Sequence, residues 1–239
     1  MRQAKSGQLR WTQVLPLPRR NRVALASTTL MRRAWHTGLV SPSTIFLLSP
    51  ANLSGKRGGM LLNANADFAL ARALRSSEGA ALEKIFTFVS GLYFRGKAAY
   101  ARRFGQAAAG HTSALVMTAG GGLCSLDETI TKTRLEAWQG VVVSEQNPHF
   151  TAPLQRHACE LLDAHEPSTR FVLLGSVATR KYVSPLSEVF GSRLLYPIQF
   201  AGLGDMSRGS LLLRAAADGV ELDYEPLAVA ASARAADLR

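Results

Sequence analysis

The sequence predicts an α/β protein, with an open, mostly parallel sheet flanked by helices and a C-terminal hairpin. Three observations predict it. Short apolar runs bounded by Gly and Ser alternate with longer stretches of helical spacing, as βα units do. Three of those runs lead directly into small, polar loops. Near the end, two apolar runs flank Asp218-Gly219, where glycine tolerates the positive φ of a tight primed turn.

In chain order, the predicted strands are Thr44 to Leu48, Ser113 to Thr118, Gly140 to Ser144 and Arg170 to Leu174. Ala66 to Arg75 and Ala80 to Phe88 read as helical, with Leu70, Leu74, Leu82, Ile85 and Phe88 three and four apart. Tyr93 to Phe104 is a further helix, with Phe94, Ala98 and Ala101 inward and Arg95, Lys97, Arg102 and Arg103 outward. Helices are also expected at Pro153 to His165 and Thr179 to Phe190. The hairpin would join Leu211–Ala217 to Val220–Tyr224. These elements form one domain, 44–227, between a basic leader, 1–43, and a frayed tail, 228–239.

Charge separates the leader from the rest. No Asp or Glu occurs before Asp67, whereas Met1 to Ala66 carries ten of the 28 Lys and Arg residues. The remaining 18 basic residues face 17 acidic ones, so nearly all of the net +11 lies in the first 66 positions. The leader has the composition of a non-native or disordered extension, of an organellar transit peptide, or of a nucleic-acid arm. Without an unbroken apolar stretch after its basic residues, it does not read as a secretory signal. The two cysteines, Cys124 and Cys159, make no disulfide framework, and the five histidines show no metal-ligand spacing. Apolar runs are far shorter than the roughly 18 residues of a membrane span. A cytoplasmic protein is expected, with import into an organelle if the leader is a transit peptide.

Chemistry is expected where the loops gather, beyond the carboxyl ends of the strands. Ser54-Gly55-Lys56-Arg57 resembles part of a P-loop, but Arg57 stands where Ser or Thr would hold magnesium. Gly121 and Gly122 follow the second strand, and Ser176, Arg180 and Lys181 follow the fourth. Two cations at a helix start oppose the macrodipole and so point to a partner. Asp205 and Arg208 lie in the glycine-rich segment 202–210. They are read as an ion pair fixing that loop, or as ligand contacts with Asp205 a general base. Cys124 reads as a small buried thiol.

The ligand set is therefore Ser54, Lys56, Arg57, Gly121, Gly122, Ser176, Arg180, Lys181 and Arg208, with no metal or cofactor implied. Nucleic acid or a phosphate-bearing small molecule would be the partner. An enzyme acting on a nucleotide or glycosidic substrate through Asp205 is the alternative, and an interaction module using the basic helix Arg95–Arg103 is a third. No complete catalytic motif chooses among them, and oligomeric state is not legible.

These blocks also carry a resemblance. Leu48-Ser49-Pro50-Ala51, Gly121-Gly122-Leu123 with Leu126-Asp127, Leu173-Leu174-Gly175-Ser176 leading to Tyr182, and Met206-Ser207-Arg208 resemble the bacterial peroxide-stress protein family of YaaA type. Phe94-Arg95-Gly96-Lys97-Ala98-Ala99-Tyr100-Ala101 is similar to a Phe-Arg-Lys-Ala-x-x-Tyr-Ala helix in a related family. Lys181 replaces the acid before that Tyr, three residues are inserted after Ser176, and Cys124-Ser125 replaces an Arg-Pro pair. The resemblance implies an intracellular α/β domain that binds DNA and limits oxidative damage through iron.

Overall fold

The computed structural model describes residues 43–107 and 111–227. The leader through residue 42 and the tail, 228–239, lie outside the described residues. In order, the elements are β1 (Thr44–Leu48), α1 (Lys56–Leu62), α2 (Ala69–Arg75), β2 (Ala80–Ala81), α3 (Leu82–Ser90) and α4 (Leu92–Phe104). Then come β3 (Ala114–Thr118), β4 (Gly122–Ser125), β5 (Thr129–Ile130), α5 (Lys132–Gln139), α6 (Pro148–Asp163) and β6 (Arg170–Leu174). The last are α7 (Arg180–Phe190), β7 (Leu194–Pro197), α8 (Asp205–Asp218) and β8 (Tyr224–Pro226).

The α/β architecture is the expected one. Six strands form one sheet in the order β4-β3-β1-β6-β7-β8, and β2 and β5 form a separate antiparallel pair. β1 runs parallel to both β3 and β6, with Phe46 opposite Ala114 and Val172, and β7 continues parallel to β6. Only the two outermost strands, β4 and β8, are antiparallel. Central strands covered on both sides need apolar residues at every position, and all five residues of β1 are buried. Phe46 and Leu48 face a core shared with Phe86, Phe94, Tyr100 and Leu212. Ile45 and Leu47 face the other, with Phe150, Leu154 and Leu186. Helices α3, α4 and α8 therefore cover one face and α6 and α7 the other.

Helices α4 and α8 cross backbone to backbone through glycine. A Cβ on Gly96 would lie 2.6 Å from the Gly209 carbonyl oxygen, and one on Gly209 would lie 2.8 Å from the Tyr93 Cα. No side chain fits at either place.

The sheet does end in an antiparallel strand pair, but its strands are β7 and β8, with Tyr196 opposite Glu225. Leu211–Ala217 is helical, as part of α8. Asp218-Gly219 closes that helix instead of turning a hairpin: Gly219 is left-handed, with φ 67° and ψ 24°. The Val220 amide donates to the Ala215 carbonyl at 3.1 Å. The positive φ of a primed turn is also what a helix C-cap requires, so one dipeptide serves both. Residues 140–144 are not a strand either. They form a loop in which Val142 is exposed while Val141 and Val143 pack inward.

Candidate functional site at the carboxyl edge of the sheet

The chain leaves β1 toward one face of the sheet and β6 toward the other, while β3 lies beyond β1. This divergence opens a crevice above the carboxyl ends of β1 and β6, the usual ligand position in such sheets. A cavity of about 360 Å³ occupies that edge. Residues 50–54 after β1, Ala119 after β3, Trp138 and Gln139 of α5, the loop Val141–Val143, and Lys181 and Tyr182 of α7 line it. Its rim is fixed from behind by Gly58. A Cβ there would collide with the Leu53 carbonyl, so glycine lets α1 pack on the loop after β1. The Gln139 amide nitrogen donates to that same carbonyl at 3.3 Å.

Of the residues expected to bind ligand, Ser54 and Lys181 line the cavity. The Lys181 ammonium nitrogen lies 5.0 Å from the centre of the Tyr182 ring. Lys56 and Arg57 are exposed in the first turn of α1, and Arg57 donates to the Phe88 carbonyl at 3.4 Å. Gly121 donates to the Thr118 hydroxyl at 3.0 Å beside Trp138. The open side of Gly122 is filled by α6, where a Cβ would meet the Pro153 carbonyl at 2.6 Å. Ser176 accepts a 3.4 Å bond from the Ala178 amide, within its own turn. Arg180 reaches Glu145 at 3.3 Å, the acid that accounts for a cation at that helix start. Arg208 is buried, donates to the Phe200 carbonyl at 3.2 and 3.3 Å, and lies 3.6 Å from the exposed Asp205. That pair sits in the first turn of α8 and not in a glycine loop. Cys124 is the expected buried thiol, pushed up to about 11 chiefly by burial.

Lys97 overturns its assignment to the outer face of α4. It is 1% exposed, and its amine donates to the Ser49 carbonyl at 2.6 Å and contacts the Ser49 hydroxyl at 2.9 Å. The Tyr93 and Phe94 rings flank it, with centres 4.5 and 5.0 Å away. Charge periodicity places any lysine outward, yet Tyr93, Lys97 and Ala101 are spaced by four on the buried stripe, which is the signal that was available. Burial lowers the Lys97 amine to about 7, with the Asp205 carboxylate pulling the other way.

Asp205 of α8 acts on both Lys97 and Tyr93, and Arg208 acts on Tyr93. Burial raises Tyr93 to about 12, against the opposing pull of Arg208. Tyr182 is raised by burial first and then by Tyr93 and Asp205. The Tyr93 hydroxyl is fully enclosed and, among the described residues, has no acceptor for its proton. Arg208 is near enough to act on it, but a guanidinium only donates and offers no acceptor for the phenol proton. Of these residues only Tyr182 lines the cavity.

Among the described residues, no group of three or more His, Cys, Asp or Glu side chains could hold a metal ion, and no helix is long and apolar enough to cross a membrane. No family model, curated protein or solved structure matches the chain.

Proposed function

We propose that the carboxyl-edge cavity binds a nucleotide-class small molecule. The observation that carries this reading is the meeting of Trp138, Tyr182 and Lys181 in one crevice at the divergence of β1 and β6. Aromatic side chains offer faces for a planar base, and the lysine offers a cation for its phosphate. A polyanion backbone needs several uncommitted cations in a row. Here Arg57, Arg180 and Arg208 already have partners within the fold, which favours a compact ligand over a duplex. Three blocks that resemble the peroxide-stress family support the same edge, because Pro50, Ala51 and Tyr182 line it and Gly121 lies beside Trp138. A stress-related role and DNA binding would follow from that kinship.

Titration of the full chain with nucleoside 5′-monophosphates and with duplex DNA, at about 50 and 200 mM salt, tests this reading. Saturable mononucleotide binding, weakened about tenfold by Lys181→Ala, is expected. Duplex binding that ignores Lys181→Ala, with no mononucleotide bound, would assign the affinity to another surface and end the proposal.

An enzymatic use would rest on Asp205, which does not line the cavity but whose carboxylate acts on Lys97, Tyr93 and Tyr182 alike. It would serve as the acid–base group on a nucleotide or glycosidic substrate. Asp205→Asn should then keep nucleotide binding and lose turnover. Equal turnover in the variant rules this use out.

A further inference from the structure

Two polar side chains in the wall of the carboxyl-edge cavity are left without partners by the fold. Trp138 is 5% exposed and Tyr182 6%, and both line it. Among the described residues, neither the Trp138 indole N–H nor the Tyr182 hydroxyl makes a hydrogen bond. The enclosed side-chain atoms without a partner there are the Tyr93 hydroxyl and His165 Nε2, so the protons of Trp138 and Tyr182 open on the space those residues line. Buried donors ordinarily have an acceptor. Among the described residues, no carboxylate lines the cavity to supply one.

Gln139 adds the opposite polarity. Its amide nitrogen donates to the Leu53 carbonyl at 3.3 Å, which leaves the amide oxygen as an acceptor on a residue that also lines the cavity. The N–H of an amine or of a ring nitrogen would satisfy that oxygen equally, so Gln139 does not choose between them. Trp138 and Tyr182 do choose. An indole N–H only donates, and a phenol that accepts from an amine still has its own proton to place. A carbonyl oxygen has two lone pairs and can take both protons, whereas a ring nitrogen has one.

We propose that the nucleotide of this cavity carries an oxo base, whose carbonyl oxygen accepts from the Trp138 indole N–H and the Tyr182 hydroxyl. This rests on the cavity being a nucleotide site with Lys181 on the phosphate, and it makes Trp138 and Tyr182 the residues that determine which base enters. An amino base would bury the same two donors and leave one of them without an acceptor. A site built to donate to a ligand oxygen rejects an analogue that lacks it, because its own polar groups are then stranded.

Calorimetric titration of the full chain with inosine 5′-monophosphate and adenosine 5′-monophosphate tests this. The two ligands differ only in the oxo or amino group and in the proton on the adjoining ring nitrogen. Inosine 5′-monophosphate should bind about tenfold tighter. Tyr182→Phe removes a hydroxyl that has no partner to lose among the described residues, so its melting curve should match that of the parent. The variant should bind inosine 5′-monophosphate about tenfold more weakly and adenosine 5′-monophosphate as the parent does. Equal or reversed affinities in the parent overturn the base assignment while the cavity reading stands. An equal loss of both ligands in the variant also overturns it, by placing the hydroxyl on the phosphate that the two share. If neither ligand binds, both readings fail.

Discussion

Two cations five residues apart on α4, Lys97 and Arg102, are treated oppositely by the fold. The Arg102 side chain is 45% exposed and bridges Glu83 and Asp127, which hold its pKa well above the usual value. Lys97 is enclosed, has hydrogen bonds only to Ser49, and is pushed toward neutrality. An exposed charge needs a partner least, because water screens and solvates it. Among the described residues, the cation that needs one most has the Ser49 oxygens and the charge of Asp205. Arg102 therefore ties α4 to α3 and to the segment after β4, whereas Lys97 ties α4 to the loop after β1 through Ser49.

The contrast between the two depends first on the glycine crossing that buries Lys97. Gly96→Leu should force α4 and α8 apart and cost about 3 kcal/mol or more by urea denaturation. A loss below about 1 kcal/mol would mean that the helices do not meet through those backbones.

The next effect is one of pH. The unfolded chain keeps Lys97 protonated up to 10.5, while the folded chain keeps it so only to about 7. Between those values the unfolded state binds more protons, so stability rises with pH, at most by about 1.4 kcal/mol per pH unit. Lys97→Met should flatten that rise between about pH 7 and pH 9.5. An unchanged slope in the variant would show that another group carries it.

Arg102→Ala should cost about 1 kcal/mol in low salt, and less in salt near 1 M, because its partners are solvent-screened. A salt-independent loss would assign Arg102 to packing. Smallest of all, Tyr93→Phe should leave the unliganded melting curve within about 0.5 kcal/mol of the parent. A larger destabilisation would reveal a partner for its hydroxyl.

The parts of the fold legible in the sequence are those set by local chemistry. The strands at Thr44–Leu48 and Arg170–Leu174 are unbroken apolar runs and stand where expected. Helices at Leu92–Phe104 and Arg180–Phe190 end within a residue or so of the periodicity that predicted them. What failed was local chemistry with two uses. Asp218-Gly219 suits a primed turn and a helix end equally, and only the packing of Leu212 and Ala215 into the core decided for the helix. Gly140–Ser144 has a strand's composition but no neighbouring strand to pair with.

The candidate site divides in the same way. Lys181 and Ser54 reach the cavity as expected, because loops after parallel strands converge on one edge. Arg180 and Arg208 do not line it, and their partners, Glu145 and the Phe200 carbonyl, come from elsewhere in the fold. Trp138 was not among the expected site residues, since no loop pattern brings α5 to that edge.

By itself, the sequence determined the class of fold, the core strands and the edge at which the loops gather, because these follow from apolar runs and from where loops fall after them. The tertiary structure alone decided that Lys97 is inside. A helix places a side chain on a stripe, but whether that stripe meets solvent depends on what crosses it. Here α8 crosses α4 through Gly96 and Gly209, and the lysine of α4 is enclosed with its amine on the Ser49 oxygens.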